Sequence, residues 1–468
     1  MTFTTAAGES AQGSAAAPPS APGAPSAPIA PTREDRFQAE SIIRALKLGN
    51  VPVRGIDRIV VGRDREADQL RRDLDYTFEG GGGVKFLSGD YGSGKTFMCS
   101  LVREAAWSRN MAVSVVDLGR NASLARFEGI YHHIMQGLRT RDLPSAPAFG
   151  YIVQQWLYTL EQGVQDEFGL DPLDDGQRDE IAKHVEKRIN GHLANVAIFD
   201  SSFANAFRGY YAATLRGDQL VADAALGWLR GESNIPTELK GKFRVRGGVT
   251  KDNAFAFLKA MSTLICSIGY GGLVVIFDET ELVRNLNRAD MRQSAYENIK
   301  SLLDKTAQGE LPRCFFLFAG TEVLFADEQK GIPSYPALHD RIRPRHQKIV
   351  DRAVQEVRSP IMVLEGFSRV RLLEVSAKVR DIHGLAYDWE PRHRLDEAFL
   401  ADLCDSLSTK FGQEARTFPR GFLKHLVDVL DLCEQDATYD PRSDLAVPEQ
   451  AVAAIKEVEG HEAHLLDF

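Results

Sequence analysis

A glycine-rich segment after a short apolar run constrains this chain more than any other feature. The run Val84–Ser88 is followed by the segment Gly89-Asp90-Tyr91-Gly92-Ser93-Gly94-Lys95-Thr96-Phe97. The spacing between Gly89 and the Gly94–Thr96 end satisfies the P-loop pattern, in which glycines let successive backbone N–H groups surround phosphate oxygens. The pattern predicts a strand, a phosphate loop and a helix start. The alternative is a glycine-rich hairpin that matches by accident.

The residue types in this segment each have a predicted task. Lys95 is expected to reach the β and γ phosphates of a nucleoside triphosphate, and the hydroxyl of Thr96 to take one position on an octahedral Mg²⁺. The helix that starts near Lys95 directs its positive dipole end at the same phosphates. We therefore expect the residues from Gly89 to Phe97 to form the nucleotide-binding set.

A second motif, Gly272–Glu279, is an apolar run that ends in two carboxylates. A strand buried on both faces would place Asp278 at its carboxyl end, beside the P-loop, where it can hold Mg²⁺ through water. Glu279 would then polarise a water in line with the γ phosphate. An acidic strand end that faces solvent is the alternative. The Asp-Glu pair favours hydrolysis over phosphoryl transfer to a small molecule.

Two shorter patterns add candidates on either side of these motifs. The run Cys314–Glu322 predicts a further buried strand, with Thr321 at the sensor 1 position of AAA+ proteins. Thr321 would hydrogen-bond the attacking water or the γ phosphate, or would act only as a helix N-cap. Upstream, Gly62-Arg63-x-x-Glu66 resembles the segment that closes over adenine in many AAA+ and STAND-type ATPases; a turn with solvated charges is the alternative.

Two arginines further along the chain are candidates for contacts to the γ phosphate. Arg341, in the basic stretch Ala337–Lys348, stands where an arginine finger is expected after sensor 1. A solvated loop and a contact with DNA phosphates stay open as alternatives. In Arg416–Leu423, a proline that fixes a helix start resembles the sensor 2 position of an AAA+ lid. Arg420 is the first candidate there and Arg416 the alternate, and a plain surface arginine is the other interpretation.

Composition indicates a globular chain with cores for two or three domains, since 44% of its 468 residues are hydrophobic and 26% are charged. The net charge of −9 gives no overall attraction to nucleic acid, so a DNA contact would have to come from a local basic patch. Five scattered cysteines without a CxxC pair indicate a reducing compartment and no zinc site.

The N-terminal residues 2–32 are almost entirely Ala, Pro, Ser, Gly and Thr, with Glu9 as the only charge, so we expect a disordered tail. The sequence shows neither a secretory signal pattern nor an apolar run of about 18 residues, the length that a bilayer requires. A cytoplasmic location without membrane contact is therefore expected.

The chain resembles the BrxD-like ATP-binding proteins of bacterial phage-exclusion (BREX) defence systems over about residues 38–435. The segments that carry the resemblance are Ile42-Ile43-Arg44-Ala45-Leu46, Gly49-x-Val51-Pro52, Gly62-Arg63-x-x-Glu66, the P-loop, Phe277-Asp278-Glu279, Ala295-Tyr296-Glu297-Asn298 and Thr417-Phe418-Pro419-Arg420. Phe97 stands where many relatives are expected to carry a histidine. The resemblance implies an AAA+-like ATPase that works beside other defence proteins on foreign DNA.

These features together predict an α/β fold: a P-loop NTPase of AAA+/STAND type with a parallel-sheet core, a helical insertion at about 120–250 and a C-terminal helical lid. The expected divisions are a tail at 1–33, the core at 34–366 and the lid at 367–468. The expected activity is Mg²⁺-dependent ATP hydrolysis that drives or gates a conformational step, by a homo-oligomer with other defence proteins as partners. A slow-hydrolysing nucleotide-gated switch and a DNA-binding loader stay open.

Overall fold

The computed structural model describes residues 31–119, 122–193, 201–343, 356–411 and 419–445. Its strands are β1 Gly83–Ser88, β2 Ala112–Asp117, β3 Leu138–Arg139, β4 Leu273–Asp278, β5 Cys314–Gly320 and β6 Ile361–Val363. Its helices are α1 Arg33–Lys47, α2 Asp64–Phe78, α3 Lys95–Ser108, α4 Phe127–Gln136, α5 Phe149–Phe168, α6 Asp175–Leu193, α7 Ser201–Leu215, α8 Gln219–Leu229, α9 Thr237–Lys242, α10 Ala254–Ser267, α11 Ala289–Ala307, α12 Glu322–Ala326, α13 Pro336–Ile342, α14 Arg369–Tyr387, α15 Glu397–Phe411 and α16 Pro419–Gln435. The predicted tail falls outside the described residues as far as position 30.

The strands form one sheet in the order β3-β2-β4-β5-β1-β6, and every pair is parallel except the short antiparallel β2–β3 pair. The central strands are apolar along their length because both faces are covered, as is typical of parallel sheets. Strand β5 lies between the P-loop strand β1 and the acidic strand β4, so the three strand ends meet at one edge. The predicted α/β fold with a parallel-sheet core is confirmed.

Helices cover both faces of this sheet, and successive residues of a strand enter opposite cores. Phe316 and Phe318 of β5 pack into a core with the helices of the insertion, from α4 to α8, and with α10 and α11. Leu317 and Ala319 pack into the other core, with α1, α2, α3 and the C-terminal helices α14 to α16. The helices expected between 120 and 250 are therefore present, and they pack on one face of the sheet.

The N-terminal helix α1 packs against α14 and α16, although it is far from them in sequence. Lys47 of α1 pairs with Asp431 of α16, and Arg36 pairs with Asp388 at 3.0 Å. The division of the chain at residue 367 stays a prediction, and in the structure α1 lies with the C-terminal helices. Within the described ranges, no helix combines the length and the apolarity that crossing a membrane would need.

A buried histidine joins α14 to α16 in this C-terminal helical region. Trp389 donates its indole N–H to Nδ1 of His383 at 2.9 Å, so the proton of the neutral ring lies on Nε2 and is donated to Asp431 at 2.9 Å. Burial lowers the pKa of His383 below its ordinary value, and Asp431 opposes this shift only in part. The folded protein therefore favours the neutral imidazole.

We expect this histidine to make stability fall in mild acid. Below about pH 6.5, His383 takes up a proton more readily in the unfolded chain than in the folded chain. The free energy of unfolding therefore decreases as the pH drops through that window. Urea unfolding at pH 7.5 and 5.5 should show this loss in the wild type and in the exposed control His393→Gln. His383→Gln should show much less of it, and an equal loss in all three proteins would contradict the assignment.

Candidate nucleotide-binding site

At several positions of the loop between β1 and α3, the backbone conformation or the lack of space allows only glycine. A Cβ on Gly89 would lie 2.5 Å from Oγ of Ser93 and 2.8 Å from the carbonyl oxygen of Leu364. Gly92 and Gly94 have φ angles of 74° and 93°, in the left-handed region that glycine adopts without a steric cost. The turn brings the N-terminus of α3, whose first N–H groups have no partner within the helix, to the centre of the loop.

Lys95, the first residue of α3, extends over this loop. Its Nζ donates to the carbonyl oxygens of Gly89 at 2.8 Å and Asp90 at 3.1 Å, and it lies 5.4 Å from the ring centre of Tyr91. Burial lowers the pKa of Lys95, and the charge that most strongly opposes this shift is the carboxylate of Glu281. The ammonium is thus held among oxygen atoms at the loop.

Thr96 and Asp278 meet at the edge where β1 and β4 end. The hydroxyl of Thr96 donates to Oδ2 of Asp278 at 3.2 Å. Burial raises the pKa of Asp278, while hydrogen bonds from the N–H of Glu279 and from Thr96 and the nearby charge of Lys95 oppose the shift. The structure therefore brings together the two side chains predicted to be metal ligands.

The residues that follow β4 and β5 lie at the same edge of the sheet. Glu279 is exposed, its N–H donates to Oδ1 of Asp278 at 3.0 Å, and its φ angle of 54° is uncommon for a residue other than glycine. Such backbone conformations are concentrated at functional sites. Thr321 is buried at the N-cap position of α12, yet its side chain makes no capping hydrogen bond. Its position is that of an N-cap, but its hydroxyl does not serve as one.

Arg63 is buried against the P-loop, with only 3% of its surface exposed. Its guanidinium donates to the carbonyl oxygen of Ser93 at 3.1 Å and to that of Glu365, and it pairs with Glu66 at 3.4 Å. Gly62 has a φ angle of 59°, and a Cβ there would lie 2.6 Å from Nε of Arg371 on α14. Gly62 and Arg63 therefore contact both the P-loop and the segment that leads into the C-terminal helices.

The two downstream arginines lie on α13 and α16. Arg341 on α13 donates through Nε to Oδ1 of Asp304 on α11 at 2.6 Å, and 40% of its side chain is exposed. Arg420 is half-buried in the first turn of α16. The alternate candidate Arg416 lies outside the described residues, as does the part of the basic stretch from 344 to 348.

One buried carboxylate at this edge is absent from the sequence-based predictions. Glu281, in the 3-10 helix Thr280–Asn285 after β4, is 7% exposed, and its Oε2 has no hydrogen-bond partner among the described residues. Burial raises its pKa, and its own N–H, Lys95 and the N–H of Thr321 oppose the shift. A third carboxylate two positions after the Asp278-Glu279 pair is the signal in the sequence that could have identified it.

The strand order, the glycine-dependent loop and the Thr96–Asp278 contact are those of a P-loop nucleotide-binding protein of the AAA+/STAND-like fold class. The family model described as "BREX system ATP-binding protein BrxC/D" matches residues 35–449, so the chain belongs to this family of ATP-binding proteins. The expected family is thereby confirmed.

The structure of the Aeropyrum pernix ORC1 protein in complex with DNA aligns at 13% identity and a TM-score of 0.31, over 85% of this chain and 65% of that one. The comparison with curated proteins gave no match.

Proposed function

We propose that this protein hydrolyses ATP to ADP and inorganic phosphate and that hydrolysis drives a conformational step in BREX defence. The observation that carries the proposal is the meeting of Lys95, the Thr96–Asp278 pair and Glu279 at adjacent strand ends. A protein that only binds ATP needs the loop and the lysine. Hydrolysis also requires a group that polarises the attacking water, and the exposed carboxylate of Glu279 lies beside the loop and the lysine.

In this proposal each side chain has one task. Lys95 and the N–H groups at the start of α3 bind the phosphates, and Thr321 orients the water or the γ phosphate. Glu279 accepts a hydrogen bond from the water that attacks the γ phosphorus, and it takes the proton as the new P–O bond forms. The bond between the γ phosphorus and the oxygen of ADP breaks in the same displacement.

The Thr96–Asp278 pair also fits a magnesium ion. A hydroxyl and a carboxylate oxygen 3.2 Å apart supply the hard oxygen ligands that Mg²⁺ prefers, either directly or through water. When bound, Mg²⁺ supplies neutralisation of the charge on the phosphate oxygens. Burial raises the pKa of Asp278, and the nearby charge of Lys95 opposes this shift.

A conformational output is supported by the contacts of Arg63. Its guanidinium joins the carbonyl oxygens of Ser93 in the P-loop and of Glu365 before α14. Lys378 of α14 also donates to the carbonyl oxygen of Val60 at 2.6 Å. A shift of the P-loop on nucleotide binding would therefore be transmitted to α14. We propose that Arg420, in the same helical region, contacts the γ phosphate and so responds to the nucleotide state.

This function is tested by size-exclusion chromatography with and without ATP, in which ATPase activity is followed in the same fractions. We expect activity to coincide with the protein peak and to require Mg²⁺. ATP binding without measurable turnover, with and without DNA, would instead support the slow nucleotide-gated switch. A DNA-binding loader predicts ATP-dependent affinity for DNA that falls steeply with salt concentration.

We also propose that the active form is a homo-oligomer completed by Arg341. This arginine lies on the surface of the core, where Asp304 holds its guanidinium at 2.6 Å and leaves 40% of the side chain exposed. An arginine at this position after sensor 1 can enter the site of a neighbouring copy, where it neutralises transition-state charge.

For Arg341→Ala we expect hydrolysis to fall by about a thousandfold, because that is the scale of an arginine finger, while ATP binding by the monomer stays nearly unchanged. Mixing this variant with Lys95→Ala should restore part of the activity. In a mixed oligomer, the intact P-loop of one copy can meet the intact Arg341 of the other. The exposed neighbour Arg343→Ala is the matched control and should stay active. Mixed oligomers that form without any gain in activity would rule out the trans arrangement.

A further inference from the structure

A strongly basic segment, 240–251, runs from the end of α9 towards the start of α10, and none of the tasks proposed for ATP hydrolysis uses it. It contains five lysines and arginines and no aspartate or glutamate, although the whole chain has a formal net charge of −9. The cationic residues of this basic segment are Lys240, Lys242, Arg244, Arg246 and Lys251. Such a local concentration of positive charge on an acidic chain is typical of a binding patch for a polyanion.

Apolar and cationic side chains alternate through the middle of the basic segment. Phe243 and Val245 are 2% and 4% exposed, and they belong to the core that the helices of the insertion share with the sheet. Lys242, Arg244 and Arg246, which alternate with them, are exposed. The buried pair therefore anchors the backbone and leaves three cationic side chains at the surface.

Hydrogen bonds from α7 and α8 also hold this backbone. Asn205 of α7 donates its side-chain amide to the carbonyl oxygen of Arg244 at 3.0 Å. The indole N–H of Trp228 in α8 donates to the carbonyl oxygen of Gly247 at 3.1 Å. Because its backbone is held in this way, the cationic surface loses less conformational freedom on binding than an unsupported loop would lose.

Ion pairs with carboxylates are absent from the basic segment, as far as the structure describes the chain. The nearest carboxylates in the sequence, Glu238 and Asp252, lie just outside it. Arg208 of α7 adds a positive charge nearby, since its guanidinium donates to the side-chain oxygen of Asn205, the residue that also binds the carbonyl oxygen of Arg244. Like charges close together repel one another, so an anionic partner that covers this surface both attracts the cations and reduces their repulsion.

We propose that the basic segment binds the phosphate backbone of duplex DNA without sequence preference. Duplex DNA carries one negative charge per about 1.7 Å of its axis, about twice the density of one strand, so it complements a concentrated cationic surface better than a single strand does. Proteins that bind single strands also use exposed aromatic side chains on which bases stack, whereas the one aromatic residue of the segment, Phe243, is buried. Lysine and arginine contacts to phosphates hold DNA without reading its bases. The proposal does not depend on ATP hydrolysis.

The test replaces the three exposed cations together, in the variant Lys242→Gln/Arg244→Gln/Arg246→Gln. Binding of a fluorescently labelled DNA duplex of arbitrary sequence is measured by anisotropy in EDTA without ATP, over a series of salt concentrations. We expect the affinity of the wild type to fall steeply with salt. In the variant, the affinity at about 100 mM salt should be about a hundredfold lower. The slope of log affinity against log salt should be shallower by about three, roughly one unit for each lost phosphate contact.

The matched control is Arg33→Gln/Arg72→Gln/Lys183→Gln, because it removes the same charge from exposed positions on α1, α2 and α6. Charges more than about 10 Å away are largely screened at this salt concentration, so the DNA affinity of the control should stay within about twofold of the wild-type value. Its salt slope should equal that of the wild type. An equal loss of affinity in both triple variants would mean that net charge alone governs binding, and would overturn the inference.

Wild-type affinity in the folded first variant, or no duplex binding by the wild type at low salt, would also overturn the inference. So would tighter binding to single-stranded DNA, to polyglutamate or to phosphatidylserine vesicles than to the duplex. If the first variant does not fold, Lys242→Gln/Arg246→Gln leaves Arg244 and its hydrogen-bonded carbonyl in place. Its salt slope should be shallower by about two, and an unchanged slope would overturn the inference.

Discussion

Replacement of Lys95 by alanine is expected to weaken ATP binding by roughly a hundredfold or more, which corresponds to about 3 kcal/mol for the loss of one member of a close, partly desolvated charge contact. The Nζ of Lys95 lies inside the loop, hydrogen-bonded to the carbonyl oxygens of Gly89 and Asp90. Lys95 is the single lysine of the segment from Gly89 to Phe97. Calorimetric titration with ATP measures the effect directly.

The control for this change is Lys251→Ala, because Lys251 is an exposed lysine outside the site. Its ATP affinity should equal that of the wild type. Both variants should unfold at wild-type urea concentrations, which separates a lost phosphate contact from a damaged fold. Undiminished ATP affinity in a folded Lys95→Ala protein would contradict the assignment of the P-loop.

Replacement of Glu279 by glutamine should leave ATP binding intact and reduce hydrolysis by about 10²- to 10⁴-fold, the usual contribution of a general base. The amide keeps the shape of the side chain but cannot take the proton of the attacking water. Glu279 is exposed, and the substitution keeps its backbone N–H, which donates to Oδ1 of Asp278 at 3.0 Å.

Single-turnover measurement of ADP formation distinguishes this effect from slow product release. Glu297→Gln, at an exposed glutamate on α11, serves as the control for the loss of a negative charge elsewhere on the surface. Turnover at the wild-type rate in Glu279→Gln would mean that another group polarises the water. In that case the buried Glu281 would be the next residue to test as the base.

The parts of the fold that the sequence predicted are those that depend on local pattern. The apolar runs that end at Ser88, Asp278 and Gly320 have the length of strands, and the structure has a strand at each. The P-loop could be predicted because phosphate binding by backbone requires glycine at fixed spacing. The contact between Thr96 and Asp278 follows once both motifs lie at one edge of a parallel sheet.

The features that sequence reasoning missed depend on contacts between distant segments. The pairing of Arg341 with Asp304 and the packing of α1 against α14 join residues that no local pattern relates. Arg63 was predicted to lie over adenine, and its burial against Ser93 and Glu365 came only with the structure. Such contacts are selected by tertiary packing, which a single sequence does not encode in any short spacing.

The central claim, that this P-loop protein hydrolyses ATP with Mg²⁺ and Glu279, is tested most directly by phosphate release from ATP. The measurement compares purified wild-type protein in Mg²⁺, the same protein in EDTA, and Glu279→Gln in Mg²⁺, all at concentrations where ATP binding is saturated. We predict phosphate release only in the first sample. Equal release by the wild type and Glu279→Gln, or no release by wild-type protein that binds ATP in Mg²⁺, would contradict the account.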